Sequence, residues 1–187
     1  MSQKQRGFSL VELMVTVSII GVAGLAAAPS MLDVVPKYRV DGAAKTLASE
    51  MQLVRMRAVA RNRIHYVTFD ATAQTITVQE EDPGGARQTV QTLQLDSQFP
   101  NVSLGYHGVT APDGSGVISQ AASFGAGGAE ATFFPTGVMA ESGFFYVLPT
   151  TDVAATRNDR MRAVQVGLAG QVVVLRYTGT SPLWEEL

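Results

Sequence analysis

Few residues in this chain have a type and spacing that could do chemistry, and Glu12 stands out among them. It is the one charge in an apolar run from Phe8 to Leu32. A carboxylate inside a membrane helix costs on the order of 2.5–3.5 kcal/mol on insertion scales, so one that is kept there is expected to pair with a cation. The histidines offer less. His65 lies in an expected strand and His107 stands beside a glycine, neither with a carboxylate or second histidine at ligand spacing. The chain has no cysteine, which removes disulfides, thiolate metal sites and cysteine nucleophiles. Asp113-Gly114-Ser115-Gly116 has the content of a calcium loop without its spaced ligands or terminal Glu, and reads as a turn. Gly125-Ala126-Gly127-Gly128 departs from the dinucleotide pattern at Glu130, and there is no nucleophile elbow or Walker loop. Asn101-Val102-Ser103 matches a glycosylation acceptor, a pattern too short to carry weight. The expectation is a protein that is not an enzyme and needs no metal or cofactor.

Composition points the same way. The 187 residues are 46% hydrophobic and 16% charged, which suits one folded domain plus an anchor. The net charge is −2, or −4 if Lys4 and Arg6 are removed with a leader, so the whole chain has no electrostatic reason to seek nucleic acid. A basic cluster, Arg55, Arg57, Arg61 and Arg63, closes the expected first helix. It reads either as a phosphate contact or as a solvated face with cations favoured by the helix C-terminus; the solvated reading is preferred.

The elements that must position these residues begin with the apolar run. Its 25 residues are long enough to cross a bilayer, and Lys4 and Arg6 ahead of it place the N-terminus in the cytoplasm. Three readings compete. A cleaved secretory signal has a small-residue site at Ala26-Ala27-Ala28, but its apolar region is too long, holds a charge and puts Pro29 after the cut. A plain anchor explains length and orientation but not Glu12. The third reading is a processed anchor.

Gly7-Phe8-Ser9-Leu10-Val11-Glu12 closely resembles the type III signal of type IV pilins and type II secretion pseudopilins. That resemblance implies cleavage between Gly7 and Phe8 by prepilin peptidase and N-methylation of Phe8. It also implies that Glu12 meets the terminal amine of a neighbouring subunit, and that Gly21, Gly24 and Pro29 weaken the helix locally.

Val40, Ala44, Leu47, Met51, Val54 and Ala58 then recur every three or four residues as one stripe of an amphipathic continuation. From Phe8 to about Arg63 the helix would measure about 80 Å, interrupted in character at Pro29, Pro36 and Gly42. Strands are expected at Ile64–Asp70, Thr75–Gln79, Gln88–Leu95, Val102–Tyr106, Val117-Ile118, Ala131–Phe134, Gly143–Leu148, Met161–Leu168 and Gln171–Tyr177. Glu80 to Gly85 reads as a solvated acidic hairpin loop, and Trp184 as a docking aromatic or a residue packed on a sheet edge.

Leu53 to Asn62, with the Phe134-Pro135-Thr136-Gly137 turn and the hairpin at Gly170, resembles minor pseudopilins of the H type, the GspH/FimT-like family. The stretch from Glu80 to Glu130 has no counterpart in that resemblance. The expected fold is α+β: a long N-terminal helix packed by one face on an antiparallel β-sheet head. The expected parts are a leader (1–7), a transmembrane or filament-core half-helix (8–32), an amphipathic half-helix (33–63) and a β-rich periplasmic head (64–187). The resemblance implies a single-pass inner-membrane subunit of the type II secretion pseudopilus, whose partners are prepilin peptidase, other pseudopilins and the assembly platform. A FimT-like minor pilin of a type IV pilus with a role in DNA uptake is the alternative. Nucleic-acid contact would then fall to Arg157, Arg160, Arg162 and Arg176, diluted by Asp152, Asp159, Glu185 and Glu186. A membrane-anchored protein that is never assembled is the third reading.

Overall fold

The computed structural model describes residues 9–125, 128–155 and 157–187, and not the side chains of residues 25–33. The chain divides into two compact units, Met1–Val35 and Pro36–Leu187. Helix α1 (Leu10–Arg61) contributes residues to both. The expected interruptions at Pro29, Pro36 and Gly42 do not end the helix, whose hydrogen-bonded turns run through all three. Proline removes one donor from an α-helix, and a single lost bond need not terminate it.

In the second unit α1 buries the expected stripe. Val40, Ala44, Leu47, Met51, Val54 and Ala58 are fully buried, with Ala43 and Ala48 beside them. The helix stops at Asn62, which takes a left-handed φ of 52°. Asn62 N–H donates to Val59 O at 3.3 Å and Arg63 N–H to Ala58 O at 3.1 Å. This two-bond Schellman ending uses Asn because its short side chain tolerates positive φ.

Two antiparallel sheets cover the stripe. The first has the order β3 (Arg87–Gln94), β2 (Thr75–Glu81), β1 (His65–Asp70), β6 (Glu130–Phe133). The second runs β10 (Trp184–Glu186), β9 (Val172–Tyr177), β8 (Arg162–Val166), β7 (Gly143–Pro149), β4 (Val102–Leu104). β5 (Ala122–Phe124) also pairs with β7, on residues Gly143 to Phe145, while β4 takes Val147 to Pro149. Short helices α2 (Leu95–Gln98) and α3 (Thr150–Ala155) join strands. Gln74 ties the sheets together: its Nε2 donates to Leu104 O at 2.9 Å and its Oε1 accepts from Leu104 N–H at 2.7 Å.

The architecture is the expected α+β arrangement with two departures. The second sheet is buried on both faces. Phe69, Phe124 and Phe145 stack in the core shared with the helix, while Phe144, Tyr146, Leu148 and Met161 pack on the other side under Ile118, Val109 and Ala111. All seven residues of β7 are consequently buried. The stretch without a counterpart, Glu80 to Glu130, thus supplies strands of both sheets and the cover over the second one. Val117-Ile118 is not a strand but makes one isolated bridge, Thr110 to Val117. The second departure is Glu80, which belongs to β2 and is buried, while the turn itself is Asp82 to Ala86.

Candidate assembly site

The N-terminal unit begins with a cap. Ser9 Oγ accepts from Glu12 N–H at 3.2 Å, which makes Ser9 the N-cap and Glu12 the third helical residue. A Ser-x-x-Glu spacing is that of a capping box, and a carboxylate there complements the helix dipole. Glu12 therefore has a local role besides the intersubunit one expected of it. The expected cleavage position, Gly7-Phe8, lies outside the described residues.

Beyond the cap the helix is apolar on every side and uncovered. Leu10, Val11, Leu13, Met14, Val17, Ile19, Ile20 and Val22 are each at least 60% exposed. No face of this segment is polar enough to be its water face, so lipid or other helices must cover it. Its hydroxyls do not oppose that. Thr16 Oγ1 donates to Glu12 O and Leu13 O at 2.9 Å, and Ser18 Oγ to Met14 O at 2.8 Å. Gly21 and Gly24 open onto space, with no heavy atom within 4 Å of an added Cβ. The side chain of Pro29 lies outside the described set. Among the described residues no helix is long and apolar enough to cross a membrane, and the expected span, 8–32, lies partly outside them.

In the head, the signature residues Phe134, Pro135, Gly137 and Gly170 come together around a residue not assigned to them from sequence. The Phe134-Pro135-Thr136-Gly137 turn closes through Gly137 N–H to Phe134 O at 2.9 Å, with Gly137 at φ 80°. The Gly170 turn closes through Gly170 N–H to Gly167 O at 2.8 Å, with φ 76°. Met139 N–H donates to Leu168 O at 2.9 Å and holds the two turns side by side. Between them lies Arg55, whose Nε donates to Gly137 O at 2.7 Å. A Cβ on Gly170 would stand 2.4 Å from Arg55 Nε and 2.6 Å from Gly137 O. The glycine is required because the guanidinium occupies the space of a side chain. An open cleft of about 680 Å³ lies beside this contact, lined also by Met56, Val59, Thr136 and Val172. The sequence signal available for Arg55 was its place between Val54 and Ala58, at the edge of the buried stripe.

The rest of the helix-end cluster is solvated, as read from sequence, and is also engaged by side-chain partners. Arg57 Nη1 donates to Gln91 Oε1 at 2.7 Å. Arg61 and Arg63 both pair with Glu80, the latter at 2.9 Å. The hydrogen bond from Arg61, reinforced by the charges of Arg61 and Arg63, holds the Glu80 carboxyl below its usual value despite burial. His65 is fully buried in β1, its Nδ1 3.2 Å from Arg63 O. Its Nε2 has no hydrogen-bond partner and stands 3.6 Å from Glu80 Oε2. The carboxylate that sequence spacing did not place near His65 is therefore brought there by strand pairing, yet no metal-holding group of three occurs among the described residues.

Arg157, Arg160, Arg162 and Arg176 do not form a basic face. Arg160 is buried and binds Asp152 through both Nε (2.7 Å) and Nη2. Arg162 is buried against Asp41 of α1 and donates to Met161 O at 3.0 Å. Arg157 pairs with Asp159 at 2.7 Å and Arg176 with Glu185 at 2.8 Å. Each guanidinium already faces a carboxylate. Trp184 packs on the sheet edge in β10, with Nε1 donating to Thr110 O at 2.8 Å and the ring against Tyr146 and Tyr177.

Comparison with known proteins bears on the fold and the family. No curated protein sequence matches the chain at a significant level. Among solved structures, the minor pseudopilin EpsH of the Vibrio cholerae type II secretion system is similar in fold. One structure of it has a TM-score of 0.51 at 12% identity, covering 74% of this chain and 97% of that one. A second has a TM-score of 0.50 at 12% identity, covering 74% and 94%. The type IV minor pilin FimU of Pseudomonas aeruginosa gives a TM-score of 0.47 at 14% identity, covering 71% of this chain and 85% of that one. Residues 2–28 match the prokaryotic N-terminal methylation motif. Residues 43–170, well over half the sequence, match type II transport protein GspH, and the chain belongs to that family.

Proposed function

We propose that this chain is a minor pseudopilin, a structural subunit of a type II secretion pseudopilus without a catalytic role. The observation that carries the reading is the presence in one chain of a methylation motif at 2–28, whose described helix is apolar on all sides beyond its cap, and a GspH match at 43–170. In this reading residues 1–7 are a leader, and prepilin peptidase cuts between Gly7 and Phe8 and methylates Phe8. Residues 8–32 hold the subunit in the inner membrane until the assembly platform draws it into a filament beside other pseudopilins. Residues 33–63 link that segment to the periplasmic head at 64–187. Glu12 pairs with the terminal amine of a neighbour, and the head sets position and partners. The four C-terminal arginines favour secretion over DNA uptake, since each is met by a carboxylate.

The test is the N-terminus of the protein recovered from membranes. Mass spectrometry should find N-methyl-Phe8 when prepilin peptidase is present and the intact leader when it is absent. A chain starting at Met1 in both strains, or at Pro29, overturns the reading.

A further inference from the structure

The open cleft beside Arg55 has a one-sided chemistry. Its walls are apolar: Met56 of α1 is 59% exposed and Val59 half exposed, with Val172 of β9 also lining it. Val138 and Leu168, exposed in the turns that the Met139 N–H joins, extend the apolar surface. The charge on it is that of Arg55. Arg55 Nε is engaged by Gly137 O, and among the described residues the guanidinium meets no carboxylate. No acidic side chain lines the cleft. An exposed apolar patch around one unneutralised guanidinium suits a partner that presents an aliphatic side chain near a carboxylate.

The head itself carries such a pair. Between Asp96 and Glu130 the chain holds one formal charge, Asp113. It lies in a hairpin closed by Ala111 N–H to Gly116 O at 2.8 Å and Ile118 N–H to Val109 O at 2.9 Å. Asp113 Oδ1 accepts from Ser115 N–H at 3.0 Å, and among the described residues no cation pairs with this carboxylate. Ile118 is buried, while its neighbour Val117 is 68% exposed. The hairpin's own hydrogen bonds fix the tip in advance, which lowers the entropy lost on docking. Tip and cleft lie on opposite faces of the second sheet. The α1 stripe packs with Phe145 and Val164 on one face, and the hairpin's Ile118 with Tyr146 and Ala163 on the other. We propose that the hairpin tip of one copy docks in the Arg55 cleft of the next, with Val117 against Met56 and Val172 and the Asp113 carboxylate on the Arg55 guanidinium. A contact between unlike patches leaves a free cleft at one end and a free tip at the other, so it extends into a row. The proposal rests on the filament reading, which supplies the setting in which copies stand side by side.

Because the chain has no cysteine, single cysteines report single sites. Full chains carrying Met56→Cys and full chains carrying Val117→Cys, both exposed positions, are reconstituted together in vesicles and treated with a short bis-maleimide. The expected product is a cross-linked dimer well above that of a control mixture, Gly84→Cys with Val117→Cys, and little dimer from either partner alone. Asp113→Asn on the Val117→Cys chain keeps an acceptor for Ser115 N–H but loses the charge, and should lower the yield about tenfold. A mixed yield no higher than the control overturns the proposal. Dimer from Met56→Cys alone replaces it with a twofold contact, and an undiminished yield with Asp113→Asn overturns the ion pair. In cells that make the other filament subunits, Met56→Cys trapped on one of those and not on Val117→Cys overturns the second copy as occupant. The two failures are separable: N-methyl-Phe8 on protein that gives no 56–117 product sinks the docking alone, and an intact leader sinks the filament reading whatever the product.

Discussion

The cap at Ser9 gives Glu12 a local role beside the intersubunit one proposed for it, and a pair of substitutions separates the two. As the third helical residue it sits in a capping box with Ser9, where glutamine serves nearly as well as glutamate. As a charge partner for a neighbour's terminal amine, only the carboxylate will do. Glu12→Ala and Glu12→Gln should both be cleaved and methylated normally, and both should enter filaments at a small fraction of the wild-type level, read by shearing and immunoblot. Normal incorporation of Glu12→Gln with poor incorporation of Glu12→Ala would reduce Glu12 to a cap. Gly170 presents the opposite case, a residue fixed by the absence of a side chain. Alanine there must adopt φ 76° and displace Arg55 from Gly137 O. Gly170→Ala should cost about 1–3 kcal/mol, seen as a lower urea midpoint at unchanged m-value. Trp184, the only tryptophan and packed on two tyrosines, is the natural reporter.

At the scale of elements, the end of α1 is bolted to β2 by Arg61 and Arg63 on Glu80, and this joint should be felt in acid. Glu80 is held below its ordinary value of 4.5, first by the Arg61 hydrogen bond. Asp82 is lowered from 3.8, chiefly by the Ala86 N–H. Burial pushes Asp159 upward, but the hydrogen bond and charge of Arg157, with Lys37, bring it below 3.8. A carboxyl lowered by folding contributes stability that is complete above its unfolded value and lost as pH falls through the folded one. The urea midpoint should therefore stay level through neutrality and decline from about pH 4.5 downward. Glu80→Gln should lower the neutral plateau by about 1–2 kcal/mol and flatten the decline. An unchanged pH slope would remove Glu80 from the account. How legible these elements were follows from the range of the forces that make them. The stripe from Val40 to Ala58 and the alternation in β1 and β2 are local patterns, and the structure buries them as read. The unbroken run Phe144 to Leu148 also showed in sequence, but the second layer over it, from Val109 to Ile118, has no periodicity of its own and is held by packing and by turn and bridge hydrogen bonds. The pairs Asp41–Arg162, Asp152–Arg160 and Glu80 with its arginines were illegible because tertiary approach, not spacing, makes them. The same holds for Arg55: the signature glycines could be seen, and the guanidinium they accommodate could not.

At the scale of the whole molecule, the chain divides into an N-terminal unit and a head, and it has no cysteine. A head without disulfides relies on burial for its stability, so its core should be sensitive: Leu47→Ala, deleting a fully buried side chain under both sheets, should cost about 2–5 kcal/mol. That sensitivity allows secretion and pilus roles to be told apart without mistaking a missing protein for a missing function. The chromosomal deletion should abolish export of folded substrates across the outer membrane while leaving twitching and DNA uptake at wild-type levels. Complementation with the intact chain should restore export. Leu47→Ala, checked for abundance, should restore it only in proportion to the folded protein present. Replacing Arg157 and Arg176, exposed and paired with carboxylates at the surface, by glutamine should leave export unchanged, because a surface ion pair contributes roughly 0–1 kcal/mol. Loss of DNA uptake in that double variant, with export intact, would move the chain to the type IV pilus and make those arginines its nucleic-acid contact after all.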